Sequence, residues 1–369
     1  MTVPAFSAAD HEFMARALRL AERGLYSTTP NPRVGCVIVM DGRIVGEGWH
    51  MRAGGQHAEV HALQLAGEHA PGACAYVTLE PCSHHGRTPP CADALLAAGV
   101  SRVVAAMEDP NPLVAGQGLA RLRAAGVLAE CGLLGAEARE LNIGFVSRMT
   151  RPRPWLRLKL AASLDGRTAL TNGASQWLTG LAARQDGHRW RARACAILTG
   201  IGTVRGDDPQ LDVRGVEAHA GDLRQPLKVV VDSRLELSPD ARVLRAGRAL
   251  VAAAQGNRAR IDALRQRGAE VVLLPGADGQ VDLPALFGEL ARRGINEVHG
   301  EAGCTLSGAL LRAGLVDELL LYLAPCLIGD TARGMFAMPA LASLADRREL
   351  VVQDVRSLGA DLRLLARFA

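Results

Sequence analysis

The stretch from His57 to Cys91 constrains this chain more than any other. It reads His57-Ala58-Glu59, then an apolar run from Cys74 to Leu79, then Glu80-Pro81-Cys82, and closes at Cys91. One imidazole and two thiols are borderline-to-soft ligands suited to tetrahedral Zn²⁺ with its fourth position open. Glu59 stands two residues after His57, at the start of a helical pattern. A histidine, a nearby acid that is not a ligand and a Pro-Cys…Cys pair form the constellation of zinc deaminases. Zinc brings the pKa of bound water to roughly 7. A carboxylate beside it can then carry protons to a ring nitrogen and a leaving amine, which is the role expected of Glu59. One spacing departs from the nucleobase pattern. Eight residues, Ser83 to Pro90, separate the two cysteines where two are common. Either a structural zinc loop or an enlarged substrate rim follows from such an insert.

The bulk numbers exclude several classes. With 369 residues, two to three domains are expected. No basic stretch followed by a long apolar run opens the chain, so no signal peptide is read at Met1 to Asp10. No apolar run reaches ~18 residues; the longest, near Leu319 to Ile328, is broken by Pro325. The eight cysteines follow no regular framework, which favours a reducing, cytoplasmic setting over a disulfide scaffold. Residues 1–150 hold 12 arginines and 14 acidic residues, so they carry −2; the remainder carries +6. The zinc half is therefore no basic nucleic-acid binder, and 4% aromatics leave little for base stacking. The basic second half suits a small anionic ligand such as a phosphate. Only Lys159 and Lys228 are lysines against 40 arginines, a bias of coding composition that makes both, Lys159 ahead of Lys228, candidates for a chemical role.

Along the first half, Ser7 and Asp10 resemble a capping box ahead of a helix whose Phe13, Met14, Ala17, Leu18 and Ala21 share a face. Prolines flank Asn31 in Thr29-Pro30-Asn31-Pro32-Arg33-Val34-Gly35 and stiff backbone there aims its amide at a ligand. Val34 to Met40 and Arg43 to Trp49 read as two strands joined by the Asp41-Gly42 hairpin turn. His50 follows the second strand, either as a further substrate contact or as a simply exposed side chain. His57 to Glu68 reads as a helix, with His61 structural; Ala75 to Leu79 as a strand; Cys91 to Ala98 as a helix. Both metal-bearing helices then turn their positive N-termini toward the thiolates. Arg102 to Met107 is a strand, and alternation continues to about Ile143, so the expectation is a sheet covered by helices on both faces.

These residues carry a family resemblance. The Thr29-to-Gly35 string, His57-Ala58-Glu59, the Pro81-to-Cys91 string with its long cysteine spacing, and Asp109-Pro110-Asn111-Pro112 with Gly116 and Gly118 resemble the deaminase of riboflavin biosynthesis, within the cytidine-deaminase-like superfamily. The long spacing is a feature of that family.

Arg151-Pro152-Arg153-Pro154 is a stiff linker and the expected boundary. Beyond it the pattern predicts a strand over Trp155 to Ala161, a turn at Ser163 to Arg167, a helix from Leu181 to Arg193 and a strand from Cys195 to Thr199. Gly200, Gly202 and Gly206 lead to Asp207-Asp208-Pro209, a glycine-rich run without the Gly-x-Gly-x-x-Gly spacing. Ala218 to Gln225 reads as a loop and Lys228 to Asp232 as a buried strand. Ile295 to Glu301 as a strand, Gly303 as a turn and Thr305 to Arg312 as a helix make a phosphate seat.

Lys159-Leu160-Ala161-Ala162-Ser163-Leu164-Asp165-Gly166, Ser175-Gln176-Trp177, Asp207-Asp208-Pro209 with Leu211 and Arg214, Val231-Asp232-Ser233 and Glu301-Ala302-Gly303 resemble the reductase half of the same bifunctional family, whose fold is dihydrofolate-reductase-like. The resemblance spans almost the whole chain. It implies a zinc-dependent pyrimidine deaminase domain at 1–150, three-layer α/β/α, and an NADPH-dependent reductase domain at 151–369. It implies one zinc on His57, Cys82 and Cys91, with Glu59 catalytic. Ser175, Arg191, Leu211, Arg214 and Glu301 would hold the reductase substrate, with Lys159 a partner for its opened sugar; Asn31 and His50 would serve the deaminase substrate. Ala161, Trp177, Thr203, Asp207, Ser233 and the Gly303-Cys304-Thr305 turn would hold NADPH. Cys304 stands where a proline or another small residue is expected. The substrate implied is a phosphorylated pyrimidine, with no nucleic acid or membrane partner; a homo-oligomer is compatible. The competing readings are a nucleic-acid base deaminase, opposed by the acidic first half and the cysteine spacing, and a structural zinc module with a binding-only second domain.

Overall fold

The computed structural model describes residues 6–83, 90–219 and 223–369. The start of the chain, most of the insert between Cys82 and Cys91, and part of the expected 218–225 loop lie outside the described residues. The chain divides into two compact units, Met1–Pro152 with Glu217–Arg224, and Arg153–Val216 with Gln225–Ala369.

The first unit carries strands β1 (Gly35–Met40), β2 (Arg43–Trp49), β3 (Cys74–Val77), β4 (Arg102–Ala105) and β5 (Leu128–Cys131), in the order β2-β1-β3-β4-β5. Its helices are α1 (Ala8–Glu22), α2 (Ala58–Ala66), α3 (Cys91–Ala97), α4 (Gln117–Ala124), α5 (Gly135–Leu141) and α6 (Ile143–Thr150). The pairs β2–β1 and β1–β3 are antiparallel, and β3–β4 and β4–β5 parallel. Alternate strand residues bury on opposite faces, as a period of two requires. Ile38, Ala75, Val77 and Val103 pack with Ala62, Leu95 and Leu119 of α2, α3 and α4. Val37, Val39, Tyr76 and Val104 pack with Met14, Leu20 and Ala138 of α1 and α5. The result is the expected three-layer arrangement. The capping box holds too: Ser7 Oγ accepts from Asp10 N, and Asp10 accepts from Ser7 N.

The second unit holds β6 (Trp155–Ser163), β7 (Arg167–Ala169), α7 (Leu181–Arg193), β8 (Ala196–Gly200), α8 (Ile201–Asp207), β9 (Leu227–Val231), β10 (Ala249–Ala253), α9 (Arg258–Gln266), β11 (Ala269–Leu273), α10 (Leu283–Arg292), β12 (Glu297–Gly300), α11 (Cys304–Arg312), β13 (Glu318–Ala324), β14 (Arg333–Gly334), β15 (Leu350–Leu358) and β16 (Asp361–Phe368). Its main sheet runs β11-β10-β9-β8-β12-β6-β13-β16-β15. Pairs from β11 to β13 are parallel; β13–β16 and β16–β15 are antiparallel. Leu286, Phe287 and Leu290 of α10 with Leu310 and Leu311 of α11 cover one face. On the other face Leu264 of α9 packs over β9 and β10, and Ala183 of α7 meets Tyr322.

The predicted elements recur with ends moved by one or two residues, and two differences have physical causes. The helix expected to reach Glu68 stops at Ala66 because Gly67 takes φ +51°, a conformation glycine tolerates. The Gly200-to-Gly206 run is largely helical, although three glycines weigh against a helix. Among the described residues no helix is long and apolar enough to cross a membrane, and all eight cysteines are free.

Candidate functional sites in the two units

In the first unit, packing of α2 on β2 sets the metal corner. A Cβ on Gly46 would come 2.1 Å from Ala62 O, and one on Gly48 2.2 Å from Ala58 O. Only glycines let the helix lie this close, and its first residues follow directly on His57. His57 is the N-cap of α2, Cys91 is the first residue of α3, and Cys82 lies beyond β3. Glu80 anchors that last approach. Its carboxylate accepts from the backbone N–H groups of Asp109 (3.1 Å), Gly116 (2.9 Å), Gly118 (2.8 Å) and Leu119 (3.2 Å). Sequence reasoning passed over this role; a buried acid beside a Pro-Cys ligand was its only signal.

His57 Nδ1, Cys82 Sγ and Cys91 Sγ lie within 4.8 Å of one another. His57 Nδ1 is 3.6 Å from Cys82 Sγ and 3.1 Å from Cys91 Sγ. Ligand lengths of about 2.05 and 2.3 Å at a tetrahedral angle put N and S roughly 3.6 Å apart. The donor set and its spacing thus fit zinc. Cys82 also accepts from Cys91 N at 3.3 Å. The Cys91 hydrogen bond and His57 bring the Cys82 thiol down to about 4 against the effect of burial. The Cys82 thiolate and burial push Cys91 up. Hydrogen bonding to Cys82 raises His57 against burial.

Glu59 is 3% exposed in the first turn of α2. Burial pushes its carboxyl up to about 7, while the charge on His57 opposes the rise. Such a group takes up and releases protons near neutrality. The other expected residues converge here. His50 Nδ1 lies 2.9 Å from Gln56 O, and Asn31 Nδ2 lies 3.1 Å from His50 Nε2. A neutral His50 with its proton on Nδ1 satisfies both contacts, and burial lowers its pKa accordingly. The His50 ring meets the His57 ring edge-on, centroids 5.4 Å apart. His61 is not part of the cluster.

In the second unit one cavity of about 1780 Å³ opens over the main sheet. Every residue expected to serve the reductase lines it. Lys159 and Ala161 come from β6, Ser175 and Trp177 from the segment after β7, and Arg191 from α7. Thr203 and Asp207 come from α8, Leu211 and Arg214 from the segment after it, and Ser233 from beyond β9. Glu301, Gly303, Cys304 and Thr305 form the β12–α11 turn. Gly303 is the N-cap of α11, and a Cβ there would meet only Thr203 Oγ1, at 3.8 Å. That open cradle before a nine-residue helix fits a pyrophosphate, as a dinucleotide requires.

Arg191 donates from Nε (2.5 Å) and Nη2 (2.8 Å) to the two oxygens of Glu301, and from Nη1 to Asp212 O (3.0 Å). Burial would raise Glu301, but the Arg191 charge and hydrogen bonds, with His299 and Lys159, hold it well below the carboxylate range. Burial pushes the Lys159 ammonium down; Glu301 opposes this and Arg191 adds to it. His188 Nδ1 accepts from Arg214 N at 3.2 Å, and the Arg184 guanidinium sits 4.8 Å from the centre of the Trp177 ring. Neither His188 nor Arg184 was marked in the sequence, since nothing local distinguishes them on a helix rich in arginine.

A three-donor metal corner with a buried acid, on a three-layer unit, followed by a dinucleotide-sized cleft on a second α/β unit, defines a bifunctional hydrolase–oxidoreductase. Residues 7–107 match the cytidine and deoxycytidylate deaminase zinc-binding region, and residues 154–363 match the RibD C-terminal domain. The chain is 51% identical to riboflavin biosynthesis protein RibD of Escherichia coli, over 96% of this chain and 98% of that one. It is 42% identical to the RibD of Bacillus amyloliquefaciens, over 96% and 95%. The solved structure of Acinetobacter baumannii RibD superposes with a TM-score of 0.91 at 45% identity, covering 98% of this chain and 99% of that one. A Thermotoga maritima diaminohydroxyphosphoribosylaminopyrimidine deaminase/5-amino-6-(5-phosphoribosylamino)uracil reductase gives 0.84 at 30% identity, with 98% and 99% coverage. The chain belongs to the RibD family of riboflavin biosynthesis proteins: a deaminase with a zinc-binding region, joined to an NADPH-using reductase.

Proposed function

We propose that residues 1–150 deaminate 2,5-diamino-6-ribosylamino-4(3H)-pyrimidinone 5′-phosphate, and that residues 151–369 then reduce its ribosyl group, giving 5-amino-6-(5-phospho-ribitylamino)uracil. The observation that carries the first half is the His57–Cys82–Cys91 cluster beside the buried Glu59. His57, Cys82 and Cys91 would hold zinc, which would supply an acidified water near neutral pH. Glu59 would take one proton from the attacking water and give it to the ring nitrogen, then take the proton of the new C–OH group and pass it to the departing amine, so that ammonia leaves and a carbonyl remains. Asn31 and His50 orient the pyrimidine.

For the second half, the Gly303 turn and its partners would hold NADPH, which would supply hydride. The acceptor is C1′ of the opened, imine form of the sugar. Lys159, half-buried at the cavity wall, holds a proton near that sugar, and Arg214 binds the phosphate. Consecutive steps rationalise one chain, and the free thiols suit a cytoplasmic setting.

Glu59→Gln tests the assignment of the acid. Ammonia release should fall by about 10²- to 10⁴-fold with zinc content unchanged and NADPH oxidation on the deaminated substrate intact. An unaltered rate of ammonia release removes Glu59 from the reaction.

A further inference from the structure

We infer that Arg205 and Arg234, held together by Glu236, form the seat of the cofactor's 2′-phosphate and set the preference for NADPH over NADH. The inference rests on the NADPH reading above and goes beyond it by naming the discriminating side chains.

Sheet order gives the direction in which the cofactor lies. Hydride has to reach the sugar beside Lys159 on β6, which places the nicotinamide at β6, and the pyrophosphate cradle follows β12. Ser233 follows β9, which is separated from β6 by β8 and β12. Three strand spacings amount to roughly 14 Å, comparable with the reach of an extended dinucleotide. The adenosine ribose therefore falls over the β9 end of the cavity, where Arg205, Ser233, Arg234 and Glu236 all line the wall.

The side chains there form a built cationic group. Arg205 Nη2 lies 2.6 Å from Glu236 Oε2, and Arg234 Nε lies 3.0 Å from Glu236 Oε1. Two guanidiniums on one carboxylate leave a net positive charge. Both arginine side chains are more than half exposed, at 55% and 67%, so their remaining N–H donors can reach a ligand. The turn carrying Ser233, Arg234 and Glu236 is pinned at its base. Asp232 accepts from Leu235 N through its carbonyl (3.0 Å) and from Leu237 N through Oδ2 (2.7 Å). Ser233 Oγ accepts from Val281 N at 3.1 Å. Glu236 thus keeps two flexible arginines parked and oriented, and a phosphate dianion, with more charge and more acceptor oxygens than one carboxylate, draws them across.

Calorimetric titration of the full-length protein with adenosine 2′,5′-bisphosphate and with 5′-AMP reads this directly. The wild type should bind the bisphosphate at least tenfold more tightly. Arg205→Ala with Arg234→Ala should bring the two affinities within about threefold, leaving 5′-AMP binding unchanged, and Arg234→Lys should restore part of the preference. In steady state the double variant should raise KM for NADPH and leave KM for NADH and kcat unchanged. A double variant that keeps the preference overturns the assignment. So does one that weakens both probes equally, since the arginines would then be stacking on adenine. A wild type that binds neither probe overturns the NADPH reading together with this one.

Discussion

Arg191 and Glu301 hold each other through two parallel hydrogen bonds, of 2.5 and 2.8 Å, at the wall of the reductase cavity. The guanidinium charge is already answered by a carboxylate at that point. Arg214 differs: its side chain is 63% exposed, and Asp212 lies no nearer than 3.5 Å. Of the two arginines that the resemblance assigns to the reductase substrate, the exposed one retains its charge for a ligand.

The two should therefore separate on substitution. Arg191→Ala removes the main partner of the half-buried Glu301 and should lower stability by about 1–3 kcal/mol, read from denaturation midpoints. Arg214→Ala should change stability by less than about 0.5 kcal/mol. It should raise KM for the phosphorylated reductase substrate about 10- to 100-fold, from the loss of one charge-assisted contact, with a smaller effect on kcat. Equal effects of the two variants on KM would contradict this division.

Metal removal should act on one reaction. A chelator should abolish ammonia release while NADPH oxidation on the deaminated substrate continues, because the two sites share no residue. Circular dichroism before and after chelation separates this outcome from zinc-dependent unfolding. Loss of both reactions in a chain that stays folded would count against two independent sites.

Acid stability should depend on Asp10. Burial would raise its pKa, but hydrogen bonds from Arg102 and Tyr76, with Ser7, hold it well below its ordinary 3.8. A depressed carboxyl contributes stability above its unfolded value and loses it as pH falls through the folded one. Asp10→Asn should thus cost about 2 kcal/mol at pH 7 and progressively less below pH ~4. Urea midpoints measured across that range check it; a constant difference between wild type and variant would exclude the linkage.

What could be read in advance followed from chemistry and distance along the chain. His57, Cys82 and Cys91 were legible because three metal-binding side chains with a stray acid are rare at that spacing. The helix Leu181–Arg193 was placed to the residue. The Arg191–Glu301 pair was invisible, since 110 residues separate its members and only the β8–β12–β6 pairing brings them together. Helix α8 was obscured by its own glycines. The C-terminal hairpin of β15 and β16 went unread: Leu350, Val351, Val352 and Val355 are apolar yet exposed, which hides the alternation that marks a half-buried strand.

The most direct test of the whole account is to incubate the purified protein with the diaminopyrimidinone phosphate, with and without NADPH, and to identify products by mass. Without NADPH the product should carry an oxygen in place of one amine and retain its ribosyl group. With NADPH it should gain two further hydrogens in the side chain, matched by NADPH consumed. Unchanged substrate under both conditions, or reduction with no ammonia released, would contradict the account.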